Sequence, residues 1–251
     1  MKHTQHLLKY VGLVILGIFL IQVVQAQQLM PSGNYSNVKI SLNGKWKFKL
    51  YPTAATGADS AFFLTHFDTR KWADIKVPGH WELQGFSKPY YGKVETDGIG
   101  LYRRNFDVPA SWKGKPVFIA FDGVLFGYTV WVNGRFAGEF ASAFNRHTFD
   151  ITQLVTPGKT NVIAVRNNKL PRAWKFDIFD CWSISGIYRD VTIYSLPNVY
   201  INDLVVKTTH VSDESARLSI STAINQSAKA KFSKNINVSA TLKDAWGKTV
   251  G

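Results

Sequence analysis

The chain has one cysteine, Cys181, in 251 residues. An internal disulfide is therefore excluded, and the core must hold without cross-links. No patterned histidine stands beside Cys181, so the residue reads as a packed, inert thiol and not as a nucleophile. His66, His80, His147 and His210 lie far apart with no i, i+4 pair, and a zinc site is not expected. Acidic residues are few, 17 against 30 Lys and Arg. Glu82, Glu95 and Glu139 stand isolated among turn and strand residues, where solvated or structural carboxylates are expected. Helical periodicity is nearly missing, with residues 60–67 the one short candidate. Basic runs longer than two residues are missing as well, so the formal net charge of +13 is scattered, and nucleic acid is not an expected partner.

What is present first is a leader. Lys2 and Lys9 flank a polar start, residues 11–24 form an almost uninterrupted apolar run, and Val24-Gln25-Ala26 offers small residues where a signal peptidase cuts. Residues 1–26 are therefore expected to be a signal peptide, and the mature chain to be exported, periplasmic or secreted, with no membrane association after cleavage. An uncleaved anchor is the alternative.

After the leader, short runs rich in β-branched and aromatic residues alternate with turn chemistry. Residues 46–50, 101–108, 117–121, 128–132, 148–151, 162–165 and 191–194 read as strands. Lys45, Lys47 and Lys49 alternate with Trp46, Phe48 and Leu50, the pattern of a strand with one wet face. Asn133-Gly134 is the strongest hairpin signal, because a two-residue primed turn needs positive φ at both positions. Asn43-Gly44, Asp122-Gly123 and Thr156-Pro157-Gly158 mark further reversals. An all-β, jelly-roll sandwich over residues 27–197 follows. Beyond Pro197 the aromatics thin out and two alternating runs appear: Leu218, Ile220, Thr222 and Ile224, then Ile236, Val238, Ala240 and Leu242. Residues 198–251 are expected to be part of an immunoglobulin-like sandwich, about half of the usual length.

The stretch FDIFDCWSISGIYRDV, residues 176–191, is the densest mixture of carboxylates, aromatics and small turn residues. Carboxylates bind hydroxyls and aromatic rings cover the C–H faces of a sugar, so this stretch is the candidate carbohydrate contact. Within it Gly186 is expected to allow a tight turn, and Arg189 to form a forked pair with a buried carboxylate or with backbone carbonyls. A packing corner is the competing reading.

The ordered motifs VPGHWELQGFSKPYY, LYRRNFDVP, FDGVLFGYTVWVNGRFAGEF, TPGKTNVIAVRN and DCWSISGIYRDVTIYS resemble the N-terminal sugar-binding domain of family 2 glycoside hydrolases, the β-galactosidase and β-glucuronidase family, over about residues 40–200. The resemblance implies a jelly-roll domain, then an immunoglobulin-like domain, then a (β/α)₈ barrel that carries both catalytic glutamates. None of the asparagines here is followed by Glu, the dipeptide of the family's acid/base. A retaining glycosidase needs two carboxylates about 5 to 5.5 Å apart. This chain is accordingly expected to be inactive alone, the non-catalytic portion of an exported β-galactosidase-like enzyme whose barrel is its partner.

By the same resemblance Asp180 contacts sugar hydroxyls and helps hold a monovalent cation such as Na⁺ in the full-length enzyme, with Trp182 beside it. Where β-galactosidases place a sugar-contacting asparagine, this chain has Lys93, a departure that weakens the expectation of galactose in particular. A β-galactoside or related oligosaccharide is the expected ligand. A free-standing carbohydrate-binding module and a structural or adhesive β-sandwich are the alternatives.

Overall fold

The computed structural model describes residues 38–51, 60–91, 98–169, 182–227 and 236–250. The first strands are β1 (Lys39–Ser41), β2 (Gly44–Tyr51), β3 (Ala73–Val77), β4 (Tyr90–Tyr91), β5 (Ile99–Asp107), β6 (Val117–Phe121), β7 (Val124–Leu125) and β8 (Gly127–Val132). They are followed by β9 (Arg135–Phe140), β10 (His147–Asp150), β11 (Thr160–Asn168), β12 (Trp182–Ser183), β13 (Gly186–Ile187), β14 (Val191–Ser195), β15 (Val199–Thr209) and β16 (Arg217–Gln226). Among the described residues the only helical pieces are single 3₁₀ turns at Glu82–Gln84 and Ala110–Trp112.

Two antiparallel sheets form the sandwich, one of four strands in the order β1-β14-β6-β10 and one of six in the order β3-β2-β5-β11-β8-β9. Alternation along each strand sends one set of side chains between them. Trp46 and Phe48 of β2, Tyr102 of β5 and Val165 of β11 meet Ile119 and Phe121 of β6 and Ile193 of β14 in one buried cluster. Lys45 and Lys47 point the other way and share Asp74 on β3, at 3.4 and 2.8 Å, which is the wet face the alternation predicts. Asn133 and Gly134 adopt φ of 51° and 78° between β8 and β9, the primed turn their sequence calls for.

The expected helix over residues 60–67 is not formed. The segment folds as successive turns, with Leu64 N donating to Ala61 O at 2.9 Å and Phe67 N to Leu64 O at 3.1 Å. The physical reason is Arg103 of β5, whose guanidinium donates to the carbonyls of Phe62, Leu64 and Thr65, acceptors a helix would have used itself. This spreads Phe62 and Phe63 over the outer face of the six-stranded sheet, where Phe63 stacks on Trp131 at 5.2 Å.

Past the sandwich, β15 and β16 pair, among the described residues, only with each other. The run Leu218 to Ile224 is part of β16 as expected. The second expected strand, Ile236 to Leu242, is not formed: those residues have no ladder partner among the described residues, where the one isolated bridge is Lys243↔Thr249. Alternation prepares a strand, but a strand exists only where a neighbour accepts its hydrogen bonds.

Candidate functional site

Of the three residues singled out for carbohydrate, Trp182 is described, while Asp180 and Lys93 lie outside the described residues, as does Cys181. Trp182 belongs to β12, which pairs with β4 in the register Trp182↔Tyr91 and Ser183↔Tyr90. The Trp182 and Tyr91 rings meet edge to face, centroids 5.4 Å apart and planes at 61°. Both are open to solvent, at 52% and 56% exposure, and Tyr90 beside them is exposed too. Asp180 and Lys93 each stand two positions along the chain from this pair. At the other end of the same two segments, Lys169 N donates to Gly98 O at 3.1 Å.

The corner beneath the rings is fixed by buried polar groups. Glu82 follows Trp81 in the 3₁₀ turn, and its carboxylate is fully buried, accepting from Lys169 Nζ at 2.9 Å through Oε1 and from Ser185 N at 2.7 Å through Oε2. Of the readings open for this residue in the sequence, the structural one holds. Trp81 N donates to Ser185 O at 3.1 Å and Gly79 N to Ile187 O at 2.8 Å, so residues 185–187 run along the 79–82 segment.

Gly186 does not make the expected tight turn. It lies in β13, paired with Leu125 of β7, but it still requires glycine: φ is 124°, and a Cβ there would sit 2.8 Å from Gly79 O. Arg189 does not form a forked pair with a buried carboxylate. Its guanidinium lies 5.1 Å over the Tyr188 ring, and Nη1 alone reaches a backbone carbonyl, Phe144 O, at 3.5 Å, so the expected carbonyl contact is made singly and not as a fork. SISGIYRD is thus scaffold, as its small and ring-bearing residues suggest.

Electrostatics at the corner follow from burial. The His80 imidazole, stacked on Tyr188 at 5.4 Å and 13°, is pushed below its ordinary range by burial, which outweighs a backbone contact with Ser185 acting the other way. Burial likewise drives the Tyr102 hydroxyl far above the usual phenol range, and the nearby Glu82 charge adds to the effect, so it stays protonated. No group of three His, Cys, Asp or Glu side chains able to hold a metal occurs among the described residues. No helix among them is long and apolar enough to cross a membrane.

Sequence reasoning did not single out Tyr90, Tyr91 or the Glu82–Lys169 pair. The two tyrosines carried a usable signal, since a PYY run before glycine resembles an aromatic platform. The ion pair carried none, because its partners are far apart in sequence and join only through the fold.

Comparison with known proteins adds to this geometry. Residues 39–197 match the family described as glycosyl hydrolases family 2, sugar binding domain. The chain is 36% identical over 202 residues to a β-galactosidase of Priestia megaterium, covering 73% of this chain and 19% of that protein. It is 32% identical over 234 residues to a β-galactosidase of Halalkalibacterium halodurans, covering 85% of this chain and 22% of that one. The chain therefore spans about a fifth of the length of these relatives. Among solved structures, a Bacteroides uniformis β-glucuronidase superposes with a TM-score of 0.64 at 28% identity, over 76% of this chain and 22% of that one. A Lactobacillus rhamnosus β-glucuronidase gives 0.67 at 25% identity, over 90% and 38%.

Proposed function

The chain belongs to glycosyl hydrolase family 2 through its sugar-binding domain, residues 39–197, and on that premise we propose that the Tyr91–Trp182 corner is its carbohydrate contact. The observation that carries the reading is the exposed edge-to-face aromatic pair, three residues from Ser185, whose backbone N–H is held by the buried Glu82 carboxylate. Covering exposed rings of this size removes apolar area from water, which is favourable, and the apolar C–H face of a pyranose fits them. Asp180, two residues before Trp182, supplies hydroxyl-binding oxygens and one hard ligand for a monovalent cation such as Na⁺. Lys93 donates to a further sugar oxygen where β-galactosidases of the family carry asparagine.

The chain acts as the non-catalytic, sugar-binding part of an exported β-galactosidase-like enzyme. The acid/base and nucleophile come from a barrel outside these 251 residues, and the chain by itself does not hydrolyse glycosides. The lack of any Asn-Glu dipeptide supports the first part of this reading, and the apolar run of residues 11–24 ahead of Val24-Gln25-Ala26 supports export. Residues 198–251 form part of a separate immunoglobulin-like unit. The relatives' names point to two sugars, galactosides by sequence and glucuronides by structure, and the ligand is drawn from these.

Titration calorimetry of the chain with a β-galactoside and a β-glucuronide in sodium buffer tests the reading. Trp182→Ala should weaken binding roughly tenfold, about 1–2 kcal/mol, while thermal stability stays close to wild type because the ring is half exposed. Absence of heat with both sugars, or binding indifferent to Trp182, would refute it.

A further inference from the structure

We propose that Glu82 is the positioning residue of the Tyr91–Trp182 corner: one buried carboxylate, itself held by Lys169, fixes the backbone of Ser185, three residues after Trp182, and so holds the aromatic pair in place. The inference rests on the reading that this corner meets the sugar. Its geometry is specific. Oε1 lies 2.9 Å from Lys169 Nζ and Oε2 lies 2.7 Å from Ser185 N, so each oxygen serves a different segment. Lys169 is in turn tied by its backbone N–H to Gly98 O at 3.1 Å. Through Glu82 the ends of three segments meet at one charge.

A buried ion pair is a poor way to gain bulk stability, because desolvating two charges offsets their attraction, and apolar residues of the same size do as well or better. What a carboxylate offers that a methyl group does not is direction. With side-chain exposures of 0% for Glu82 and 2% for Lys169, both groups lack water as an alternative partner and must keep this one arrangement. Ser183 and Ser185 are buried, while Trp182 at the head of the same run is exposed.

The test is amide hydrogen exchange on the whole chain, comparing wild type, Glu82→Gln, Lys169→Met and the double variant Glu82→Gln/Lys169→Met. Each single variant strands one buried charge or loses one directional bond, and amides of residues 183–187 should exchange at least tenfold faster, with β5 and β6 amides unchanged. The double variant keeps an acceptor for Ser185 N and removes both charges, and should return these rates to within about threefold of wild type. In the same samples sugar affinity should fall in the single variants and recover in the double. If a single variant does not fold, Glu82→Asp takes its place, since it keeps the charge but is one methylene too short to reach both partners. Unchanged exchange at 183–187, a uniform rise across the sandwich, or no recovery in the double variant would overturn the inference. Loss of sugar binding by wild type itself would overturn the functional reading, with the exchange rates still deciding the role of Glu82.

Discussion

Gly186→Ala should be among the most damaging single-methyl additions in this chain. A Cβ at this position would lie 2.8 Å from Gly79 O, 3.1 Å from the Tyr102 hydroxyl and 3.4 Å from His80 Cα. Backbone and buried ring atoms surround it, so no flexible side-chain end can give way. The φ of 124° adds a conformational cost for any L side chain. Left-handed strain contributes about 1–2 kcal/mol and overpacking about 1–3 kcal/mol. Together they make about 2–5 kcal/mol, which for a domain of this size lowers Tm by roughly 4–20 °C. Gly85→Ala is the control, since φ there is 84° but nothing lies within 4 Å of the added Cβ. It carries only the backbone cost. Differential scanning calorimetry of the two variants separates the contributions, and Gly186→Ala should melt several degrees below Gly85→Ala. Equal melting temperatures would refute the claim that residues 185–187 are packed rigidly against the 79–82 segment.

Acidification should destabilise the fold through two histidines. His80, on Tyr188, and His147, stacked on Phe140 at 4.1 Å and edge-on to Phe149 at 4.6 Å, are both pushed below the ordinary imidazole range by burial. Because the unfolded chain then binds protons more readily, their contribution is fully present above about pH 6.5 and is lost as pH falls from there towards the depressed values. A Tm that is flat between pH 7.5 and pH 5.5 would contradict this. Asn133→Ala should cost about 2–4 kcal/mol, because Asn133 holds a φ of 51°, donates to Leu154 O at 2.8 Å and Asn161 Oδ1 at 2.7 Å, and accepts from Val162 N at 2.9 Å. Chemical denaturation checks it, and a loss under 1 kcal/mol would show that water replaces these bonds freely.

The strands were legible where a local rule decides them. Lys45 to Leu50 alternates with period 2 and becomes β2; Asn133-Gly134 has the residue types of a primed turn and makes one. Reading failed where a distant residue decides. Residues 60–67 offer a short helical pattern, but Arg103 takes their carbonyls, and nothing in the segment itself announces that. Ile236 to Leu242 alternates as cleanly as β16, yet among the described residues only β16 finds a partner, in β15. β3 was overlooked because ADIKV is too short and too charged to stand out, and its pairing with β2 supplies what its own residues do not. At the candidate site, Trp182 was readable as an aromatic beside carboxylates. Its pairing with Tyr91 was not, because a two-residue ladder between strands so distant in sequence leaves no periodic trace.

The anchors of the corner show what its geometry depends on. Ser185 is held by Glu82 and Trp81, Ile187 by Gly79, Gly186 by pairing with Leu125, and the Tyr188 hydroxyl by Ala143 O at 3.1 Å. All of these partners lie within the matched span 39–197. The β15–β16 hairpin contributes none of them. Its Leu204, Val206, Leu218 and Ile220 are exposed, and a two-stranded sheet with its apolar side chains in water has little stability of its own. The sandwich has the opposite balance, with a continuous buried core between two sheets. The anchors of residues 185–188 therefore lie in the part of the chain that buries its own core, and on the proposed reading this domain would present the aromatic pair without support from the strands that follow it.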